Sequence, residues 1–151
     1  MEIFHGTVES FEAQQASYDI VSLIGVLEHL VHPLECLRGC CKWLRQGGYL
    51  LITTLDAWRF PRLYKIKPPE HIFYFQRRHL VRLLEKSGFE VVEARTYFKS
   101  YKASDYLYAV SSVLAQRLVR PFLRFFDQFP KLDVVLPAVP TNEVVVLARK
   151  I

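Results

Sequence analysis

Glu28 and His29 have the clearest setting for chemistry in this sequence. They follow Gly25, which comes directly after the apolar run Tyr18–Ile24. In open α/β sheets, ligands bind beyond the carboxyl ends of the strands, and a glycine there lets a ligand approach the backbone closely. The spacing predicts that Glu28 and His29 reach the same crevice as Gly25. The alternative is that Gly25 is an ordinary turn residue and the other two residues only cap a helix.

Four residues with zinc-binding side chains occur close together: His29, His32, Cys36 and Cys40. Zinc sites on loops and ribbons use paired Cys-x-x-Cys knuckles, which this sequence lacks, and Pro33 interrupts a continuous ligand face. We therefore predict buried structural cysteines and no metal site. Ser10, Ser22 and the cysteines also lack the local sequence of a nucleophile elbow.

The elements that must position these residues form a strand–helix–strand unit. Tyr18–Ile24 is a β-branched apolar run of strand length, which predicts a strand buried on both faces. Pro33 suits the first turn of a helix, which we expect Gly47–Gly48 to end. Tyr49–Leu55 is the next predicted strand. A right-handed crossover makes the two strands parallel neighbours in one sheet.

The remaining elements are predicted from periodicity and from helix-breaking residues. They are a short helix over Thr7–Gln15, an amphipathic helix over Gln76–Ser87, a strand over Phe89–Tyr97, helical structure over Tyr101–Phe126, a loop over Phe129–Pro140 and a last strand over Glu143–Arg149.

The composition is that of a single folded domain: 151 residues, of which 51% are hydrophobic and 23% are charged. The net charge of +5 predicts a solvated basic face rather than a nucleic-acid partner. Trp58–Lys67 mixes aromatic and basic residues, which suits single-stranded nucleic acid, a loop over an acceptor pocket or a plain surface loop. Tyr101–Phe129 has a similar mixture, which suits a weak contact with a membrane surface or helices packed on the sheet.

The three cysteines, Cys36, Cys40 and Cys41, are an odd number within one short stretch and do not form a disulfide framework. This pattern predicts a reducing, cytoplasmic compartment. We see no secretory signal, and no apolar run reaches the roughly 18–20 residues that a membrane span needs.

Several motifs in order resemble Rossmann-like S-adenosylmethionine-dependent methyltransferases, in particular the ubiquinone-biosynthesis-like branch that acts on small molecules. The motifs are YDIVSLIGVLEHLVHP, a helix that leads into LRQGG, the strand YLLITT, the segment PEHI and the helix end SGFEV. The resemblance implies an α/β fold with strands equivalent to 4-5-7-6, the last one antiparallel. It also implies helices on both faces of the sheet and a helical insertion before the last strand. We expect one partial domain, with a core over residues 1–99, a cap over 100–140 and a final strand over 141–151.

The resemblance also implies a cofactor, S-adenosylmethionine, and a small-molecule methyl acceptor. Ile24, Gly25 and Val26 would line the methionine end of the cofactor. Thr7, Val8 and Glu9 would lie against the adenine, with Thr7 where the family often has an acid. The resemblance places His29 and His71 on the acceptor side, where they are our candidates for a general base.

The family's glycine-rich first motif and its ribose-binding acid should precede Phe4, where this sequence has neither. Because those groups bind the cofactor, we expect weak cofactor binding and little activity from this chain alone. Without its usual neighbour, Tyr18–Ile24 becomes an edge strand, which favours pairing with another chain and hence a homo-oligomer. The competing hypothesis is a non-catalytic fragment or dimerising module of the same fold.

Overall fold

A computed structural model describes residues 3–56, 70–105, 121, 124–129, 131 and 134–151. Its strands are β1 (Tyr18–Ile24), β2 (Leu44–Leu55), β3 (Phe89–Lys102) and β4 (Val135–Lys150). Its helices are α1 (Pro33–Trp43) and α2 (Arg77–Glu85), and a 3-10 turn spans Leu27–His29. The basic aromatic segment Trp58–Lys67 and most of Tyr101–Phe129 lie outside the described residues.

The four described strands form one sheet in the order β1-β2-β4-β3. β1 and β2 are parallel, whereas β4 runs antiparallel to both of its neighbours, β2 and β3. This order and the antiparallel last strand confirm the arrangement that the family resemblance implies. The parallel pair also confirms the crossover through α1, which brings the end of β1 next to β2.

The core lies between one face of the sheet and the two helices. Leu50 and Ile52 of β2 are fully buried, as are Leu37 of α1 and Leu80 and Leu84 of α2. All of these side chains belong to one continuous cluster, so α1 and α2 cover the same face of the sheet. α1 and α2 account for one of the two faces that the prediction covers with helices.

β1 lies at one edge of the described sheet, and its burial differs from the prediction. Leu23 faces the core and is 4% exposed, whereas Ile20 and Ile24 on the other face are 64% and 57% exposed. The expectation of a strand buried on both faces is therefore wrong. A β-branched run indicates a strand, but its burial depends on how many neighbours the strand has.

The helix α1 ends four residues before the glycine pair that was predicted to end it. Leu44 follows Trp43 directly and already pairs with Tyr18, and the ladder then skips to the pair Ile20 and Tyr49. Gly48 lies within this irregular stretch, where a Cβ atom would come to 3.0 Å of the Asp19 carbonyl oxygen. The glycine is therefore needed for the close approach of two strands and does not terminate the helix.

Two further predictions fail near the ends of the chain. Residues 8–10 form a turn, and the short helix expected over Thr7–Gln15 is absent. β4 begins at Val135, so the loop expected up to Pro140 is in part a strand. Proline is tolerated because the described β4 pairs only with β3 in this part, through an irregular ladder, and needs no second row of backbone donors.

The three cysteines are free thiols, with Cys36 and Cys40 buried. This finding agrees with the predicted absence of a disulfide framework, and the cytoplasmic location stays a prediction. Among the described residues, no helix has both the length and the hydropathy needed to cross a lipid bilayer.

Two isoleucines on neighbouring strands provide a matched test of this packing. Ile52→Ala removes a fully buried side chain from β2, and we expect it to lower the free energy of unfolding by about 2–5 kcal/mol. Ile20→Ala, on the exposed face of β1, should cost less than about 1 kcal/mol. Urea denaturation followed by circular dichroism measures both values. Equal losses would show that the two faces of the sheet are covered alike.

Candidate functional site

The carboxyl end of β1 is open and has the backbone geometry of a ligand-binding turn. Ile24 is exposed, and Gly25 follows it with a φ of 62°, in the left-handed region that favours glycine. The Gly25 N–H donates to the carbonyl oxygen of Thr53 on β2, 2.9 Å away. A Cβ atom at Gly25 would meet only the Glu28 carboxylate, at 3.9 Å. The backbone here is therefore fixed on one side and accessible on the other.

The 3-10 turn after Gly25 is anchored to the rest of the fold through Glu28. This side chain is 5% exposed, and its Oε2 atom accepts a hydrogen bond of 2.7 Å from the Thr54 hydroxyl on β2. The Glu28 carbonyl oxygen accepts two more, from the backbone N–H groups of Ile72 (2.9 Å) and Phe73 (3.0 Å). One residue thus holds the end of β1, the strand β2 and the segment before α2 together.

The two predicted base candidates, His29 and His71, lie next to each other. Their ring centroids are 4.8 Å apart, and the rings meet edge to face at 64°. His29 is exposed and its Nδ1 atom forms a hydrogen bond with the Glu70 carbonyl oxygen, while His71 is half-buried. The pairing of residues 42 positions apart in sequence follows from the two backbone hydrogen bonds to Glu28.

Glu28 is the residue whose importance the sequence reasoning understated. It was expected near the crevice, but its buried carboxylate and its hydrogen bond to Thr54 were not foreseen. A second carboxylate, that of Glu143 on β4, lies in the same region. Burial raises the pKa of Glu143; the nearby Lys99 ammonium opposes this shift and the Glu28 carboxylate adds to it. The signal in the sequence was the polar Thr54 at a core position of an otherwise apolar strand.

The other group of predicted cofactor contacts, Thr7, Val8 and Glu9, lies elsewhere. Thr7 exchanges backbone and side-chain hydrogen bonds with Ser10 in a local turn. Val8 and Glu9 border a cavity of about 390 Å³. The helix α1, including its last residue Trp43, forms the opposite wall of this cavity. None of Ile24, Gly25 and Val26 lines this cavity. The structure therefore does not bring the two groups of candidates into one cavity.

The proposed zinc constellation is not assembled. Cys36 and Cys40 point into the core from α1, and His32 is exposed at the start of that helix. A hydrogen bond with the Cys36 sulfur and burial raise the pKa of the Cys40 thiol, so that it stays protonated. The burial supports the prediction of structural cysteines.

Comparison with known proteins gives the family of this chain. A family model described as "Methyltransferase domain" matches residues 2–94. The chain belongs to this methyltransferase family. Its sheet order, with β4 antiparallel between β2 and β3, agrees with that membership.

Curated relatives of the methyltransferase chain are similar over part of their length. A Mycolicibacterium smegmatis protein named "Probable S-adenosylmethionine-dependent methyltransferase" is 31% identical over 99 residues, which cover 65% of this chain and 38% of that protein. Ubiquinone biosynthesis O-methyltransferase of Aliivibrio fischeri is 33% identical over 57 residues, or 37% of this chain and 24% of that enzyme. The chain thus matches less than half the length of these relatives.

Solved structures show the same fold. A SAM-dependent methyltransferase of Thermotoga maritima aligns with 97% of this chain and 62% of its own, with a TM-score of 0.60 and 18% identity. A Burkholderia thailandensis 1,6-didemethyltoxoflavin-N1-methyltransferase, solved with S-adenosylhomocysteine, aligns with 95% of this chain and 48% of its own, with a TM-score of 0.52 and 16% identity. At these identities the likeness shows the fold alone.

S-adenosylmethionine is the cofactor of this methyltransferase family. The residues at the end of β1 fit such a ligand, because Gly25 leaves open space beside an accessible backbone. Thr7 fits less well, since its N–H and hydroxyl already bond to Ser10.

Proposed function

We propose that this chain contributes the methyl-acceptor side of a methyltransferase that uses S-adenosylmethionine and acts on a small molecule. The observation that supports the proposal most strongly is the His29–His71 pair beside the open end of β1. The cofactor supplies an activated methyl group on its sulfonium, so the protein's main task is to position the acceptor. In this proposal Ile24, Gly25 and Val26 contact the methionine end of the cofactor.

In the same proposal His29 is the general base that takes a proton from the acceptor, with His71 as the second candidate. A carbonyl oxygen can only accept a hydrogen bond, so Nδ1 of His29 carries the proton toward Glu70. The Nε2 atom of the neutral ring is then a proton acceptor. His71 packs against the ring of His29 and helps to fix its orientation.

The base role predicts a specific kinetic effect. We expect His29→Gln to lower kcat for methyl transfer by about 10²-fold or more, because that is the usual contribution of a positioned base. His71→Gln should have a smaller effect, and His79→Gln on α2 should have none. Transfer of labelled methyl groups from S-adenosylmethionine measures these rates, and an unchanged kcat in His29→Gln would refute the base role.

The 151-residue chain should bind the cofactor weakly by itself, because its sequence contains no G-x-G loop to approach the polar end of the ligand. We expect calorimetric titration with S-adenosylhomocysteine to give an affinity weaker than micromolar. Amide shifts in NMR spectra at high ligand concentration should centre on Ile24, Gly25 and Val26. Micromolar affinity would contradict the predicted impairment, and shifts confined to Thr7, Val8 and Glu9 would contradict the placement.

A dimerising module is the second candidate function, and the exposed β1 favours it. Ile20 and Ile24 are large apolar side chains on an edge strand, where another chain can add to the sheet. We expect light scattering to give the mass of a dimer. Ile20→Lys should shift the protein to monomer, whereas Val31→Lys, a similarly exposed position outside the sheet, should not. A monomer at all concentrations in the unmodified chain would count against this candidate.

A further inference from the structure

Glu28, His29 and His71 form a compact group of metal-binding side chains. One ligand atom from each residue lies within 4.8 Å of the other two. The group joins the 3-10 turn after β1 to the segment before α2, and the hydrogen bonds from Ile72 and Phe73 to the Glu28 carbonyl oxygen hold the two together. Among the described residues this is the one such group of His, Cys, Asp and Glu.

The hydrogen bond of His29 prepares its ring for a metal ion. Because Nδ1–H donates to the Glu70 carbonyl oxygen, the lone pair of the neutral ring is on Nε2. Metal-bound histidines commonly have this arrangement, in which a backbone carbonyl accepts from the nitrogen that does not bind the ion. The contact therefore fixes both the tautomer and the direction of the ring.

The Glu28 carboxylate is oriented in a similar way. Thr54 donates to its Oε2 atom, and its Oε1 atom is the one nearest to the open space at Gly25. A buried carboxylate is costly unless a positive charge or hydrogen bonds compensate it. None of the salt bridges between described residues involves Glu28. A cation at Oε1 would compensate the charge of this buried carboxylate.

We propose that Glu28, His29 and His71 bind a divalent transition-metal ion such as Zn²⁺ or Co²⁺. Two imidazoles and one carboxylate favour such ions over Mg²⁺, which prefers an all-oxygen shell. Three protein ligands leave at least one coordination position for a small ligand. This site revises the prediction that the chain binds no metal. It shares His29 with the group considered from the sequence, but Glu28 and His71 take the place of His32 and the cysteines.

The test is titration of the metal-free chain with Co²⁺, followed by visible absorption, and competition by Zn²⁺. We expect one saturable site per chain and a raised thermal midpoint with Zn²⁺. His71→Gln and His29→Gln should each weaken binding at least tenfold. Thr54→Val leaves all three ligands in place but removes the support of Glu28, and it should weaken binding about 10-fold to 100-fold. Circular dichroism of each variant confirms that it is folded.

His79→Gln is the matched control, because His79 is an exposed histidine on α2 outside the group, and its binding should equal that of the unmodified chain. The proposal would be overturned if Co²⁺ binding did not saturate or if it survived His71→Gln. A thiolate-to-cobalt charge-transfer band would also overturn it, because it would show binding by the cysteines. These measurements need no cofactor, so they are independent of methyl transfer. A metal ion on Nε2 of His29 would occupy the lone pair that the base role needs, so the two roles belong to different states of the chain. A chelator in the methyl-transfer assay keeps the protein metal-free, and there the base role of His29 is tested separately.

Discussion

The candidate site depends on the way Glu28 is held. Its carbonyl oxygen accepts hydrogen bonds from two consecutive residues, Ile72 and Phe73, and its carboxylate accepts one from Thr54. Buried polar groups must be paired, so these bonds are the low-energy arrangement for a turn with Glu28 5% exposed. Because the bonds join three segments distant in sequence, they determine where His29 and His71 lie relative to β1.

The sequence predicted the elements well where local patterns decide the structure. The bounds of β1 agree with the prediction, since a β-branched run that ends at a glycine has few alternatives. The strand order also agrees, but it rested on the family resemblance and not on periodicity. Burial was predicted less well. Ile20 and Leu23 occur in the same apolar run, yet Ile20 is exposed to solvent and Leu23 faces the core. The two residues differ in which face of the sheet they occupy, and only one face of β1 is covered by the described helices.

The site was predicted in part for a related reason. The resemblance placed His29 and His71 on one side of the site, whereas the role of Glu28 depends on Thr54, which is 26 residues away. No local pattern contains that pairing. Likewise, Thr7 was expected to face the adenine, but its bonds to Ser10 form a self-contained turn. Sequence spacing alone does not distinguish polar residues that hydrogen-bond to each other locally from polar residues that bind a ligand.

The position of the site at an edge strand links cofactor binding to assembly. Ile24 is both the last residue of β1 and an exposed apolar side chain, directly before the accessible Gly25. A chain that adds to the edge that β1 forms in the described sheet would lie beside these residues, which the proposed function assigns to the methionine end of the cofactor. Such a partner would either complete the crevice or obstruct it, and its effect on ligand affinity has opposite signs in the two cases. If the chain both binds the cofactor and self-associates as proposed, the two equilibria are coupled through the end of β1.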